Sequence, residues 1–238
     1  MKAAKLNRKM GALYLAETAN FIKITKLCTY VQLTGSAKIL TYQAGSGKSV
    51  ALRYYAEHNE RAYYMQIEPH YTQKVFLRKF CEVLGLPIAS SSAEMIDSII
   101  SFLSKEAQAI VIFDEFDKIL DKKNVFSIFK TLYDHLSGSC GFVICGTEFL
   151  EKDIFKRVQA FKMGYTELFS RCGREFVYLS AVSKQDVEAI CRVNGINSES
   201  IIQEMFVQTS NGDLRLLENL ITKANMLVRE KVKKAVGE

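Results

Sequence analysis

A parallel, doubly wound α/β fold, five strands flanked by helices with a small all-helical lid at the carboxyl end, is predicted by three observations. Five short apolar or β-branched runs alternate with longer helical patterns between residues 36 and 179, and such alternation builds a parallel sheet with helical crossovers. One of these runs, "AIVIFDE" (109–115), is almost wholly apolar, as a strand covered on both faces must be. After Leu179 the strand patterns stop and only helical ones follow.

The elements can be taken in order. Residues 12–33 carry a helical pattern, and "SAKILTY" (36–42) reads as the first strand. A helix follows from Lys48 to about His58, then a second strand, "RAYYMQI" (61–67). "TQKVFLRKFCEVLG" (72–85) is amphipathic, and "SAEMIDSIISFLSKEA" (92–107) opens with a serine cap and a glutamate. Strand 109–115 precedes a helix at 125–136, and "GFVICGT" (141–147) and "EFVYL" (175–179) complete the sheet. Residues 184–193, 198–209 and 213–232 read as the helices of the appendage. In the last of these, Leu214, Leu217, Ile221, Ala224 and Val228 recur at spacings of 3 and 4 and form a stripe to be buried.

Composition narrows the function classes. With 238 residues, 48% hydrophobic and 24% charged, the chain can bury a sizeable core as an ordinary globular protein. No apolar run approaches the roughly 18 to 20 residues of a membrane span, and the basic amino terminus lacks the apolar stretch of a signal peptide. The expectation is a cytoplasmic protein with no membrane partner. Six scattered cysteines without a Cys-x-x-Cys pair, and three histidines, point to buried reduced thiols rather than disulfides or zinc. The net charge of +6, with lysine and arginine dense at both ends, is compatible with a polyanion partner.

The sharpest signal is "AGSGKSV" between the first strand and its helix. A phosphate cradle needs a turn whose backbone N–H groups point inward, a lysine for the β- and γ-phosphates and a hydroxyl for Mg²⁺. Gly45 and Gly47 shape such a turn, Lys48 is the counter-charge and Ser49 the Mg²⁺ ligand, while the following helix aims its positive end at the anion. Ala44, Ser46 and Val50 complete the nucleotide-binding stretch. Tyr42 stands where the usual pattern begins with glycine, so an altered strand exit is expected, not lost binding. Asp114 and Glu115 end the apolar strand, at the edge where open parallel sheets bind ligands. Asp114 is read as holding Mg²⁺ through water, and Glu115 as orienting the attacking water. Asp117 is read as a solvated acid at a helix start.

Thr147 and Arg171 join Lys48 and Glu115 as catalytic candidates, and Arg215 joins the nucleotide-binding ones. Thr147 ends a strand with a small polar group, where the γ-phosphate and lytic water would lie. Arg171 and Arg174 precede the last strand, and Arg171 is read as a finger reaching a neighbouring subunit's γ-phosphate. Arg215 stands off the buried stripe of the last helix, free to contact phosphate and to couple the lid's angle to the nucleotide.

These five elements in this order resemble the AAA+ ATPases: Walker A "AGSGKS", Walker B "IVIFDE", sensor 1 at Thr147, an "SRCG" finger at Arg171 and sensor 2 "GDLR" at Arg215. The resemblance runs from about Phe21 to Val232. It divides the chain into a basic helical extension (1–20), an AAA+ nucleotide-binding domain (21–180) and a helical lid (181–238). The compact size, "GTEFL" and "GDLRLLENLI" look most like the transposition ATPases, the B protein of Mu-type phages and the TnsC proteins of Tn7-like elements. The resemblance implies an ATP- and Mg²⁺-dependent ATPase that binds duplex DNA without sequence preference. It would form homo-oligomeric rings or helical filaments and deliver target DNA to a transposase. It also implies DNA contacts after the second strand, here Tyr71, Thr72, Lys74 and Arg78. With no long basic or globular stretch ahead of the core in this sequence, a separate DNA-reading module is not expected. Two other readings stand beside this one. The first is a small-molecule or nucleotide kinase, which usually carries an arginine-rich lid inside the α/β core. The second is a helicase-loader or initiator-like switch acting mainly on a protein partner.

Overall fold

A computed structural model describes residues 5–10, 13–209 and 212–236. By its internal contacts the chain divides into two compact units, Ile24–Gln43 with Ala51–Tyr178, and Met1–Lys23 with Ala44–Val50 and Leu179–Glu238.

The larger unit is built on one parallel sheet. Its strands are β3 (Ala37–Thr41), β4 (Ala62–Gln66), β5 (Ala109–Asp114), β6 (Cys140–Gly146) and β7 (Phe176–Tyr178), in spatial order β4-β5-β6-β3-β7. All four pairings are parallel, so every strand's carboxyl end lies on one edge. The expected five-stranded α/β sheet is thus the observed one. Every residue of β5 and β6 is buried, which explains why neither strand alternates in polarity. Helices α3 (Gln73–Leu84), α4 (Ser92–Lys105) and α5 (Lys123–Leu136) bury their apolar stripes in the same core. Phe113 sits among Phe76, Phe80, Phe116, Phe129 and Phe142, with ring centres 5.4–6.5 Å away, in stacked and edge-on pairs. Helix α1 (Ala19–Thr34) approaches β6 so closely that a Cβ on Gly141 would meet Val31 O at 2.4 Å. Thr72 caps α3 at Val75 N, and Gly85, left-handed at φ +69°, ends it.

Two helices of this unit were not anticipated, α6 (Glu148–Gln159) and α7 (Tyr165–Arg171). Phe149 and Phe155 of α6 stay substantially exposed, which blurs the stripe a reader searches for. The six cysteines are free and buried. Burial pushes the Cys28, Cys140 and Cys172 thiols up to about 12, so these are inert core residues.

In the smaller unit, β1 (Lys5–Met10) and β2 (Leu13–Ala16) pair antiparallel. The helical pattern expected from residue 12, and the helical extension expected over 1–20, therefore give way to strands in the described residues, with α1 opening only at Ala19. Residues 1–4 and 11–12 of that extension lie outside the described ones. Helices α8 (Lys184–Val193), α9 (Glu199–Gln208) and α10 (Leu214–Val236) pack Val187, Cys191, Ile202, Met205, Leu217 and Ile221 into a second core. A reciprocal Ser183–Asp186 capping box starts α8. On α10 the predicted stripe packs against the second core as far as Ala224, but Val228 is 59% exposed. Among the described residues no helix is long and apolar enough to cross a membrane.

Candidate functional site

The phosphate-loop residues Ala44–Val50 fall in the smaller unit. Gly45 and Gly47 take φ of +78° and +85°, the left-handed region that side chains resist. A Cβ on Gly45 would also lie 2.4 Å from Asp213 Oδ1, and one on Gly47 3.2 Å from Leu214 Cδ1. The lid segment is seated directly on the turn: Leu214 N donates to Gly45 O at 2.9 Å. Asp213 Oδ1 in turn accepts from Arg215 N at 2.9 Å and caps α10. Lys48, only 8% exposed at the start of α2 (Lys48–His58), donates from Nζ to Ser46 Oγ at 3.2 Å. Ser49 lies in the first helical turn, and Arg215 projects from α10 at the surface.

A pocket beside this turn escaped sequence reasoning. Leu13, Ala16 and Phe21 wall it from the amino-terminal segment, Ser46, Gly47 and Val50 from the loop, and Ile190 and Leu214 from the lid, with Glu218 as its one charged side chain. Side chains fasten the amino-terminal wall. Asn194, nearly buried, accepts from Tyr14 N at 2.8 Å and donates to Tyr14 O at 3.0 Å. Asp186 accepts from Ala19 N, and Asn20 exchanges two bonds with Ser180. A mainly apolar slot next to an anion cradle suits a flat heterocycle attached to phosphates. The alternation in "LYLA" (13–16) is the one local sign of it.

In the larger unit the carboxyl edge of the sheet gathers the acids and Thr147. Asp114, 2% exposed, accepts from Tyr64 Oη at 2.8 Å and from Glu115 N at 2.9 Å. Burial, with the Asp114 carboxylate adding and Arg53 opposing, pushes the Tyr64 hydroxyl above its ordinary range. Glu115 is left-handed at φ +57°, and its carboxylate is ion-paired with Lys118, which also lies 3.6 Å from Glu68. Asp117, expected as a solvated acid, is instead half-buried in a 3-10 turn (Phe116–Ile119), because Phe116 and Ile119 anchor that turn in the core. Thr147 begins α6, and its carbonyl accepts from Thr41 Oγ1 at 2.8 Å, linking the ends of β3 and β6. Its own Oγ1 is buried without a protein partner.

The remaining candidates are spread over the surface of the larger unit. Arg171 is ion-paired with Asp134 and lies 5.6 Å over the Tyr133 ring, so its guanidinium is engaged within its own subunit. Arg174 is exposed in a left-handed turn after Gly173. Lys74 and Arg78 project from α3 into solvent, and Thr72 is occupied as a helix cap. Tyr71, expected as a surface contact, is corrected to the core: it is 7% exposed and packs there, with its hydroxyl toward Gln66 O.

The residues present fit a nucleoside triphosphate. A left-handed glycine turn, a buried lysine and an adjoining apolar slot occur in one unit; in the other, a buried threonine hydroxyl without a partner and an acid pair stand at the carboxyl ends of neighbouring strands. A family model described as an AAA domain matches residues 34–153, and the chain belongs to this family. No curated protein matches it by sequence. Among solved structures it is similar to the Aeropyrum pernix ORC1 protein in complex with DNA, with TM-score 0.67 and 14% identity over 90% of this chain. It is also similar to domain III of the Thermotoga maritima replication initiation protein DnaA, with TM-score 0.57 and 17% identity over 92% of this chain and 84% of that one. A third neighbour, a DNA replication initiation factor, has TM-score 0.55 and 13% identity, covering 89% of this chain and 63% of that one. The chain spans 61% of the ORC1 chain. At these identities the likeness is one of fold, the AAA+ fold.

Proposed function

We propose that the chain is an ATP-dependent, DNA-binding AAA+ ATPase that assembles on duplex DNA as a ring or helical filament, with hydrolysis controlling disassembly. One observation carries this reading: the start of α10 is seated on the phosphate loop, Leu214 bonded to Gly45. A ligand that orders the loop thereby biases the lid, and a lid whose pose follows the nucleotide can gate contacts between copies.

In this reading Lys48 and the backbone of Gly45 to Ser49 bind the phosphates, and the slot beside Val50 takes the base. Ser49 and Asp114 would hold Mg²⁺, which when bound neutralises charge on the phosphoryl oxygens. Glu115 orients the attacking water once it leaves Lys118, and the Thr147 hydroxyl donates toward the γ-phosphate. Arg215 contacts phosphate from the lid. With Arg171 tied to Asp134, the finger offered to a neighbouring copy falls to Arg174. Lys74, Arg78 and Thr72 contact the DNA backbone by charge and hydrogen bonding.

Delivery of target DNA to a transposase is the finer form of this reading and rests on "GTEFL" and "GDLRLLENLI". A replication-initiator or helicase-loader role is the second reading, supported by the fold shared with ORC1 and DnaA domain III. ATP turnover and electron microscopy with and without duplex DNA test the proposal. ATP-dependent rings or filaments on DNA support it. If DNA changes neither rate nor assembly, a nucleotide switch acting on a protein partner replaces it.

A further inference from the structure

Two buried side-chain atoms among the described residues stand without a hydrogen-bond partner, Asp117 Oδ1 and Thr147 Oγ1. They lie just past the carboxyl ends of paired strands, Asp117 after β5 and Thr147 after β6, and Phe113 is in register with Ile144. A glycine admits the carboxyl: a Cβ on Gly146 would stand 2.8 Å from Asp117 Oδ1. The residue before Thr147 therefore leaves room for the acid, and buried Phe116 and Ile119 fix the turn that carries it.

A buried carboxyl oxygen without a partner is costly to stability, and its presence in a native fold asks for a role. Burial is the largest cause pushing Asp117 above its ordinary range. Its own backbone amide and Lys118 pull the other way, while Glu115 and Asp114 add to the rise. The Thr147 hydroxyl has one proton and two lone pairs. If that proton is given to a neighbouring group, only lone pairs face an incoming phosphate oxygen, and they repel it. If a neighbour donates to the hydroxyl instead, the Thr147 proton is left for the ligand.

We infer that Asp117 is a positioning residue for Thr147: its carboxyl, seated beside Gly146, orients the Thr147 hydroxyl through one bridging water. This sets whether the hydroxyl donates toward the reacting phosphate. The inference rests on the ATPase reading of the site, yet the seating of the Asp117 carboxyl beside Gly146 is present without nucleotide.

Five proteins test it: wild type, Asp117→Asn, Thr147→Val, Thr147→Ser and the double variant of Asp117→Asn with Thr147→Val. In steady-state turnover, Asp117→Asn lowers kcat on the order of 10²-fold, the scale of a misplaced catalytic group, with KM for ATP nearly unchanged. The double variant is no slower than Thr147→Val alone, and Thr147→Ser, which keeps the hydroxyl, restores turnover. In thermal melting of the nucleotide-free proteins, the double variant departs from the sum of the single shifts. Additivity in either measurement overturns the proposal. If wild type shows no turnover, the ATPase reading fails, while the melting cycle still decides whether Asp117 acts on Thr147.

Discussion

Lys48 is the residue whose loss is easiest to foresee, because a buried ammonium at a helix start has few tasks other than holding an anion. Lys48→Ala should abolish ATP binding, measured by equilibrium titration, while leaving the melting midpoint close to wild type. Glu115→Gln should bind ATP with near-native affinity yet lose at least about 10²-fold in turnover; unchanged turnover would remove Glu115 from the mechanism. Asp117 makes a pH prediction. Its folded carboxyl is raised from the ordinary 3.8 by burial, with Glu115 and Asp114 adding and its own amide and Lys118 opposing. The folded chain then binds more protons than the unfolded one. Stability accordingly falls as pH climbs from that ordinary value through the raised one, and Asp117→Asn should flatten this part of a melting-against-pH curve. The motif residues were legible because a glycine turn, a lysine and an acid pair have few physical alternatives at those spacings. The burial of Asp117 and Tyr71 was not, since each is an ordinary surface residue type carried inward by its neighbours.

Elements with a single dominant period were legible to within a residue or two. The apolar runs of β5 and β6, and the stripes of α3, α4 and α5, each face one core and name it. The segment 5–16 fails for the opposite reason. Its strands are short, and what fastens β2 is Asn194, 180 residues away along the chain, which no local pattern announces. The pocket is hidden in the same way, since β2, the phosphate loop and two lid helices supply its wall. Asn194→Ala should strip partners from the Tyr14 amide and carbonyl and from Ile190 O, at a cost of about 1–3 kcal/mol. Denaturant melts would show that loss, and nucleotide titration a weaker affinity. Full nucleotide affinity in a destabilised Asn194→Ala would separate the clip from the pocket.

For the whole molecule, the charge and the family set the expectations. Exposed Lys74 and Arg78 on α3 should each neutralise a phosphate, so their joint replacement by alanine weakens duplex binding across all sequences. The slope of affinity against salt would become shallower by roughly 0.9 for each phosphate no longer neutralised. Arg174→Ala should remove assembly-dependent turnover while sparing ATP affinity, whereas Arg171→Ala, by releasing Asp134 and Tyr133, should lower stability first. The identity of the partner lay beyond the sequence, because a phosphate loop, an acid pair and a lid speak to nucleotide chemistry and not to what the chain acts on. The central claim, a nucleotide-driven assembly on DNA, is tested most directly by the rate of ATP turnover of the purified chain with and without duplex DNA. The account predicts turnover that rises with DNA and vanishes in Lys48→Ala. A wild-type rate no higher than that of Lys48→Ala under both conditions would contradict it.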